Sequence, residues 1–127
     1  MQVIYLTAEE ILRLHHQIIE DFGGGHGVRD ENRLKSLVDA PKQHVFGNEQ
    51  YPDVYKKAAV YLRNIIGDHF FTDANKRTAV TVCGIFLMRN GHELIADPIE
   101  LETFTINVAI AHLSIEEIVN WLSAHTA

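Results

Sequence analysis

The sequence predicts an all-α protein: a compact bundle of about six helices around one central buried helix. Apolar residues recur three and four positions apart in successive stretches, two of these stretches open on capping boxes, and glycine or proline punctuates their ends. The chain has 127 residues, 46% of them hydrophobic, the size of a single domain, 1–127, with one core.

Thr7-Ala-Glu-Glu10 is a capping box, in which hydroxyl and carboxylate satisfy each other's free backbone donors. It opens a first helix with Ile11, Leu14, His15, Ile18 and Phe22 along its buried face, ending at the glycines from Gly23. Asp30 is the expected N-cap of a second helix carrying Leu34, Leu37 and Val38, which Pro41 ends. A third helix starts near Asp53, buries Val54, Ala58, Tyr61, Leu62, Ile65 and Ile66, and stops at Gly67. The fourth runs from about Ala74 to Arg89 and is closed by Asn90-Gly91. After a short piece around Leu94, a fifth helix carries Leu101, Phe104 and Val108. Ser114-Ile-Glu-Glu117 is a second capping box, opening a last helix with Ile115, Ile118, Val119 and Leu122. Any strands, at Val3 to Leu6 or Glu93 to Ala96, are expected to be brief.

The net charge of -6 leaves no broad basic face to follow a nucleic-acid backbone, so no direct nucleic-acid partner is expected. Cys83, the one cysteine, lies in an apolar stretch and reads as core. Met1-Gln-Val-Ile-Tyr-Leu lacks the basic start and longer apolar run of a signal peptide, and no segment has the ~20 apolar residues that cross a bilayer. A cytoplasmic protein without a membrane partner is expected.

The fourth helix stands apart. From Thr78 to Met88 it is uncharged and apolar on every side, so it should lie in the middle of the bundle. Yet its first turn reads Asn75-Lys76-Arg77. Cations are disfavoured at the positive end of a helix, each by ~0.3–1 kcal/mol, unless an anion completes the site. Backbone donors, dipole, lysine and arginine would then converge on phosphate oxygens. His69 lies shortly before, suited to accept a proton from an alcohol near neutral pH. Asp73, at the helix start, is either an N-cap or an oxygen ligand for magnesium beside phosphate. Phe71 between them would anchor the loop and aim His69 outward.

His69-Phe-Phe-Thr-Asp-Ala-Asn-Lys-Arg77 resembles the signature of the Fic/Doc family: His, any residue, Phe, any residue, Asp or Glu, a small residue, Asn, a variable residue, Arg. Phe22-Gly-Gly, Gly27-Val-Arg-Asp30, Pro41 and Phe86-Leu-Met-Arg-Asn-Gly91 resemble its death-on-curing (Doc) branch. Members that transfer AMP usually carry Gly on both sides of the Asn and a second Arg three residues after the first; here Ala74, Lys76 and Val80 occupy those positions. The resemblance to Doc toxins implies a kinase that uses ATP and passes its terminal phosphate to a threonine of elongation factor Tu, stopping translation. It also implies catalytic roles for His69 as general base and for Asp73, Lys76 and Arg77. Phosphate would be bound by Ala74, Asn75, Lys76 and Arg77, and Mg2+ by Asp73. The family's self-inhibiting motif is absent, so the resemblance implies a separate antitoxin that docks an amphipathic helix in a groove. AMP transfer to a protein hydroxyl, or a catalytically silent binding module, are the alternatives.

Gly23-Gly-Gly-His-Gly27 lacks the Gly-Lys-Ser/Thr ending of a phosphate loop and reads as a helix end with a flexible turn, or else as a border of the cleft. Zinc is not expected: no two of the eight histidines have the spacing of a known zinc motif, and His15 and His16 face different sides of a helix. Trp121 reads as core.

Overall fold

The computed structural model describes residues 2–127; Met1, where the expected absence of a signal peptide begins, lies outside them. Among the described residues six α-helices follow in order: α1 (Ala8–Phe22), α2 (Arg33–Asp39), α3 (Val54–Gly67), α4 (Asn75–Arg89), α5 (Pro98–Ala111) and α6 (Ile115–Ala124). A two-stranded hairpin, β1 (His44–Val45) with β2 (Asn48–Glu49), interrupts the series. The mainly helical class expected from the sequence holds. No helix among the described residues is long and apolar enough to cross a membrane.

Both expected capping boxes form, Thr7 with Glu10 and Ser114 with Glu117, each removing helix-end donors from the unpaired set. A third, Asp97 with Glu100, opens α5 and was not read from the sequence. Asp53 caps α3 by accepting from the Lys56 amide at 2.8 Å. Asp30 does not cap α2. Its carboxylate accepts from the Asn32 amide at 3.0 Å, closing a tight local turn, and the helix begins only at Arg33. Pro41 then sits in a single 3-10 turn, Ala40–Lys42, that finishes α2.

The centre of the bundle is shared. α3 buries Ala58, Ala59, Val60, Tyr61, Leu62, Ile65 and Ile66, and α4 packs along it with Ala79, Val82, Cys83, Phe86 and Leu87. Ala58 and Ala59 on α3 and Ala79 on α4 are small buried residues along this pair, and the expectation of one central helix becomes a central pair. Met88 is 63% exposed, because it lies on the outer side of the last turn of α4, whose Phe86 and Leu87 remain buried. Phe22, expected on the buried face of α1, is 66% exposed at the end of that helix. Burial pushes the Cys83 thiol up to about 12, as its reading as core requires. Trp121 sits at the core edge, stacked between Phe104 and His125 with both ring separations at 3.9 Å.

Val3 to Leu6 forms no strand. Its partner is a side chain: Asn90 accepts from the Ile4 amide and donates to the Ile4 carbonyl, both at 2.9 Å. Around Leu94 the extended piece makes one bridge, to Thr126 near the C-terminus. The hairpin turns at Phe46-Gly47, both with positive φ, a geometry suited to a two-residue reversal. It is tied down by Lys57, a buried lysine whose Nζ donates to Glu49 Oε1 and to the Pro41 carbonyl, each at 3.0 Å.

Arg89, at the end of α4, pairs with Glu10 in the first turn of α1. The guanidinium, followed by the Thr7 amide, holds the Glu10 carboxyl down to about 2. Because the folded value lies below the unfolded one of about 4.3, this contribution is complete above the unfolded value and is lost as pH falls toward about 2. Discounted for partial exposure, it should amount to ~1 kcal/mol. Denaturant titrations across acid pH should show Glu10→Gln with a shallower loss of stability than the parent; parallel curves would contradict the assignment.

Candidate active site

The site begins where α3 ends. His69 adopts a left-handed backbone (φ 46°), and its amide donates to the Ile66 carbonyl at 3.3 Å. A left-handed residue after a helix reverses the chain; glycine is the usual occupant, and histidine is one of the side chains that tolerates it. The reversal leaves the imidazole exposed and sends Phe70 and Phe71 into the core. The loop is then zipped to the segment after the glycines: Arg29 donates to the Phe70 carbonyl and Thr72 to the Gly27 carbonyl, both at 3.1 Å.

Asn75 closes the loop onto α4. Its Oδ1 accepts from the Phe71 amide at 2.8 Å and its Nδ2 donates to the Phe71 carbonyl at 2.9 Å. One N–H of the side-chain amide remains, together with the backbone donor, so Asn75 is first a clasp. The Phe71 ring lies flat on His15 at 3.8 Å, and His15 Nε2 donates to the Asp73 carbonyl at 3.0 Å. Burial holds this imidazole below its ordinary value, which keeps it neutral, and the bond to a carbonyl places its proton on Nε2.

Asp73 Oδ2 accepts from the Gly25 amide at 2.6 Å. A Cβ on Gly25 would stand 3.0 Å from that oxygen, and one on Gly24 would stand 3.3 Å from Asp73 Cβ. Close approach therefore requires these glycines, and Gly24, with Gly23 before it, borders the cleft. The other Asp73 oxygen accepts no hydrogen bond among the described residues, which leaves a hard oxygen donor of the kind magnesium uses beside phosphate.

Ala74 precedes α4 with φ 64°, and no side chain caps that helix. The first α4 bond runs from Thr78 to the Ala74 carbonyl, so the amides of Asn75, Lys76 and Arg77 have no partner among the described residues. They stand at the wall of a cleft of about 840 Å³ bounded by the end of α1, the start of α4 and one face of α5. Asp73, Ala74, Asn75, Lys76 and Arg77 all line it, with Glu102 of α5 as a further acidic group. Lys76 and Arg77 form no ion pair among the described residues, and the Arg77 guanidinium rests 3.7 Å over the Phe22 ring. His69 does not line this cleft; it stands free at the surface three residues before the Thr72–Asp73 corner.

The structure thus brings together five of the six expected site residues around one concavity and sets the sixth outside its wall. Sequence reasoning missed His15, Phe22 and Glu102 as parts of the site, whereas the glycine stretch had been read as one of its alternatives to border the cleft. Only His15 gave a signal, since a polar residue on an apolar helix face must find a hydrogen-bond partner.

An uncapped, basic helix start opening on a cleft is an arrangement whose donors and charge complement an anion. The Fic/DOC family model matches residues 5–87, from the chain entering α1 to most of α4. The chain is 31% identical over 118 residues to "Protein kinase doc" of Escherichia phage P1, covering 93% of this chain and 92% of that protein. It is 41% identical over 93 residues to "Toxin Doc" of Mycolicibacterium smegmatis, covering 73% of this chain and 69% of that protein. The chain belongs to the Fic/Doc family.

Proposed function

We propose that this single-domain chain is the toxin of a toxin–antitoxin pair and acts in the cytoplasm as an ATP-dependent protein kinase on a threonine or serine hydroxyl. The observation that carries the reading is the free N-terminus of α4, with Lys76 and Arg77, opening on the same cleft as the Asp73 carboxylate. Unpaired amides, helix dipole and two cations suit the polyphosphate of ATP, and phosphoryl transfer asks mainly for positioning and charge stabilisation. Asp73, through its free oxygen, would hold Mg2+, which supplies charge neutralisation at the phosphate oxygens.

His69 accepts the proton of the target hydroxyl as its oxygen forms a bond to the terminal phosphorus. The bond from that phosphorus to the bridging oxygen breaks, and ADP leaves with the electron pair. Lys76 and Arg77 offset the charge that grows on the transferring group. An exposed base suits a hydroxyl carried on the surface of another protein better than one on a small enclosed substrate. The family resemblance points to a translation factor, elongation factor Tu, as that protein. Its partner for restraint is an antitoxin helix; Ile99, Ile106 and Ile110 form an exposed apolar stripe on α5 beside the cleft that suits an amphipathic helix.

The chain is to be incubated with elongation factor Tu and ATP labelled on either the terminal or the α-phosphate. Label from the terminal phosphate on a hydroxyl residue is expected. Transfer of the α-label instead would identify a nucleotidyl transferase, and no transfer of either to any protein of a translation extract would favour a silent binding module.

A further inference from the structure

On the solvent side of α1, His16 and Glu20 lie one helical turn apart, and His26 comes back to meet them from beyond the glycines. Gly23 and Gly24, with φ of 87° and 117°, make that return possible. Glu20 Oε1 stands 3.5 Å from His16 Nε2 and 3.2 Å from His26 Nε2, with the two rings 4.6 Å apart. The three donor atoms all lie within 4.8 Å of one another.

Zinc bonds of about 2.0–2.1 Å in a tetrahedron place neighbouring ligand atoms about 3.3 Å apart. The two distances to Glu20 bracket that edge. We infer that His16, Glu20 and His26 form a surface site for a divalent transition-metal ion of the zinc class, with two imidazole nitrogens, one carboxylate oxygen and an open fourth position for water. Imidazole donors favour zinc, nickel or copper over magnesium, so the site is chemically separate from Asp73. Spacing along the chain hides it: only the His16–Glu20 half is local, and the fold supplies the third ligand. This revises the expectation that zinc has no place here.

The site also has a structural consequence. His26 directly follows Gly25, whose amide holds the Asp73 carboxylate. An ion that ties His26 to α1 therefore pins the turn that borders the cleft.

The test uses the untagged full chain, freed of metal with a chelator, and titrates Zn2+ against a chromogenic indicator with magnesium in large excess. One zinc per chain is expected to bind and to raise the melting temperature. His16→Gln and His26→Gln should each weaken binding by about tenfold or more and abolish the melting shift, with unchanged helicity because both side chains are exposed. His44→Gln, on the hairpin, should bind as the parent does. Failure of the parent chain to retain zinc, displacement by magnesium, or binding that survives both cluster substitutions would each overturn the inference.

Discussion

His69→Ala is expected to reduce phosphate transfer by about a hundred- to ten-thousand-fold, the range typical of losing a general base. Toxicity in cells should fall with it. Stability should change by no more than ~1 kcal/mol, because the imidazole is exposed and makes no hydrogen bond among the described residues. The backbone adds a second arm to the test. Since position 69 has φ 46°, His69→Gly removes the base while relieving a left-handed conformation, so it should be as inactive as the alanine variant and at least as stable. Activity retained in both variants, measured as label transfer to protein, would remove His69 from the mechanism.

Phe71→Ala is expected to have the largest effect on stability, ~3–5 kcal/mol, the cost of truncating a fully buried aromatic ring. Phe71 is 0% exposed, packs edge-on against Phe70 and lies flat on His15. Its removal would also leave His15 without the ring that fixes its plane, loosening the hydrogen bond to the Asp73 carbonyl. Urea denaturation reads the loss directly, and Phe71→Leu should restore much of it. A cost below ~1 kcal/mol for the alanine variant would mean that the loop is not anchored through this ring.

What the sequence revealed and what it hid divide along the range of the interactions. The Thr7 and Ser114 boxes, the start of α3 near Asp53 and the Asn90-Gly91 ending depend on residues a few positions apart, and all were legible. Asp30 misled because an aspartate that caps a helix and one that closes a turn look alike until the backbone chooses. The hairpin depends on a lysine from α3 reaching Glu49, which no local pattern announces. In the site, two cations at an apolar helix start marked one wall of the cleft. The partners of Asp73 could not be read in the same way, because His15 lies 58 positions away and Gly25 lies 48. Asn75, expected to face phosphate, lines the cleft, and no local pattern showed that its side chain also commits two groups to the loop that precedes it.

The Arg77 guanidinium rests on the exposed Phe22 ring at the wall of the cleft. A guanidinium on an exposed aromatic face is held by ~0.5–1 kcal/mol, little more than thermal energy. With one cation parked against the wall, the helix mouth is spared the full repulsion of two neighbouring positive charges. On the proposed reading that hold is weak enough for a phosphate group to draw the arginine across, and the cleft would then strengthen its pull as the nucleotide enters.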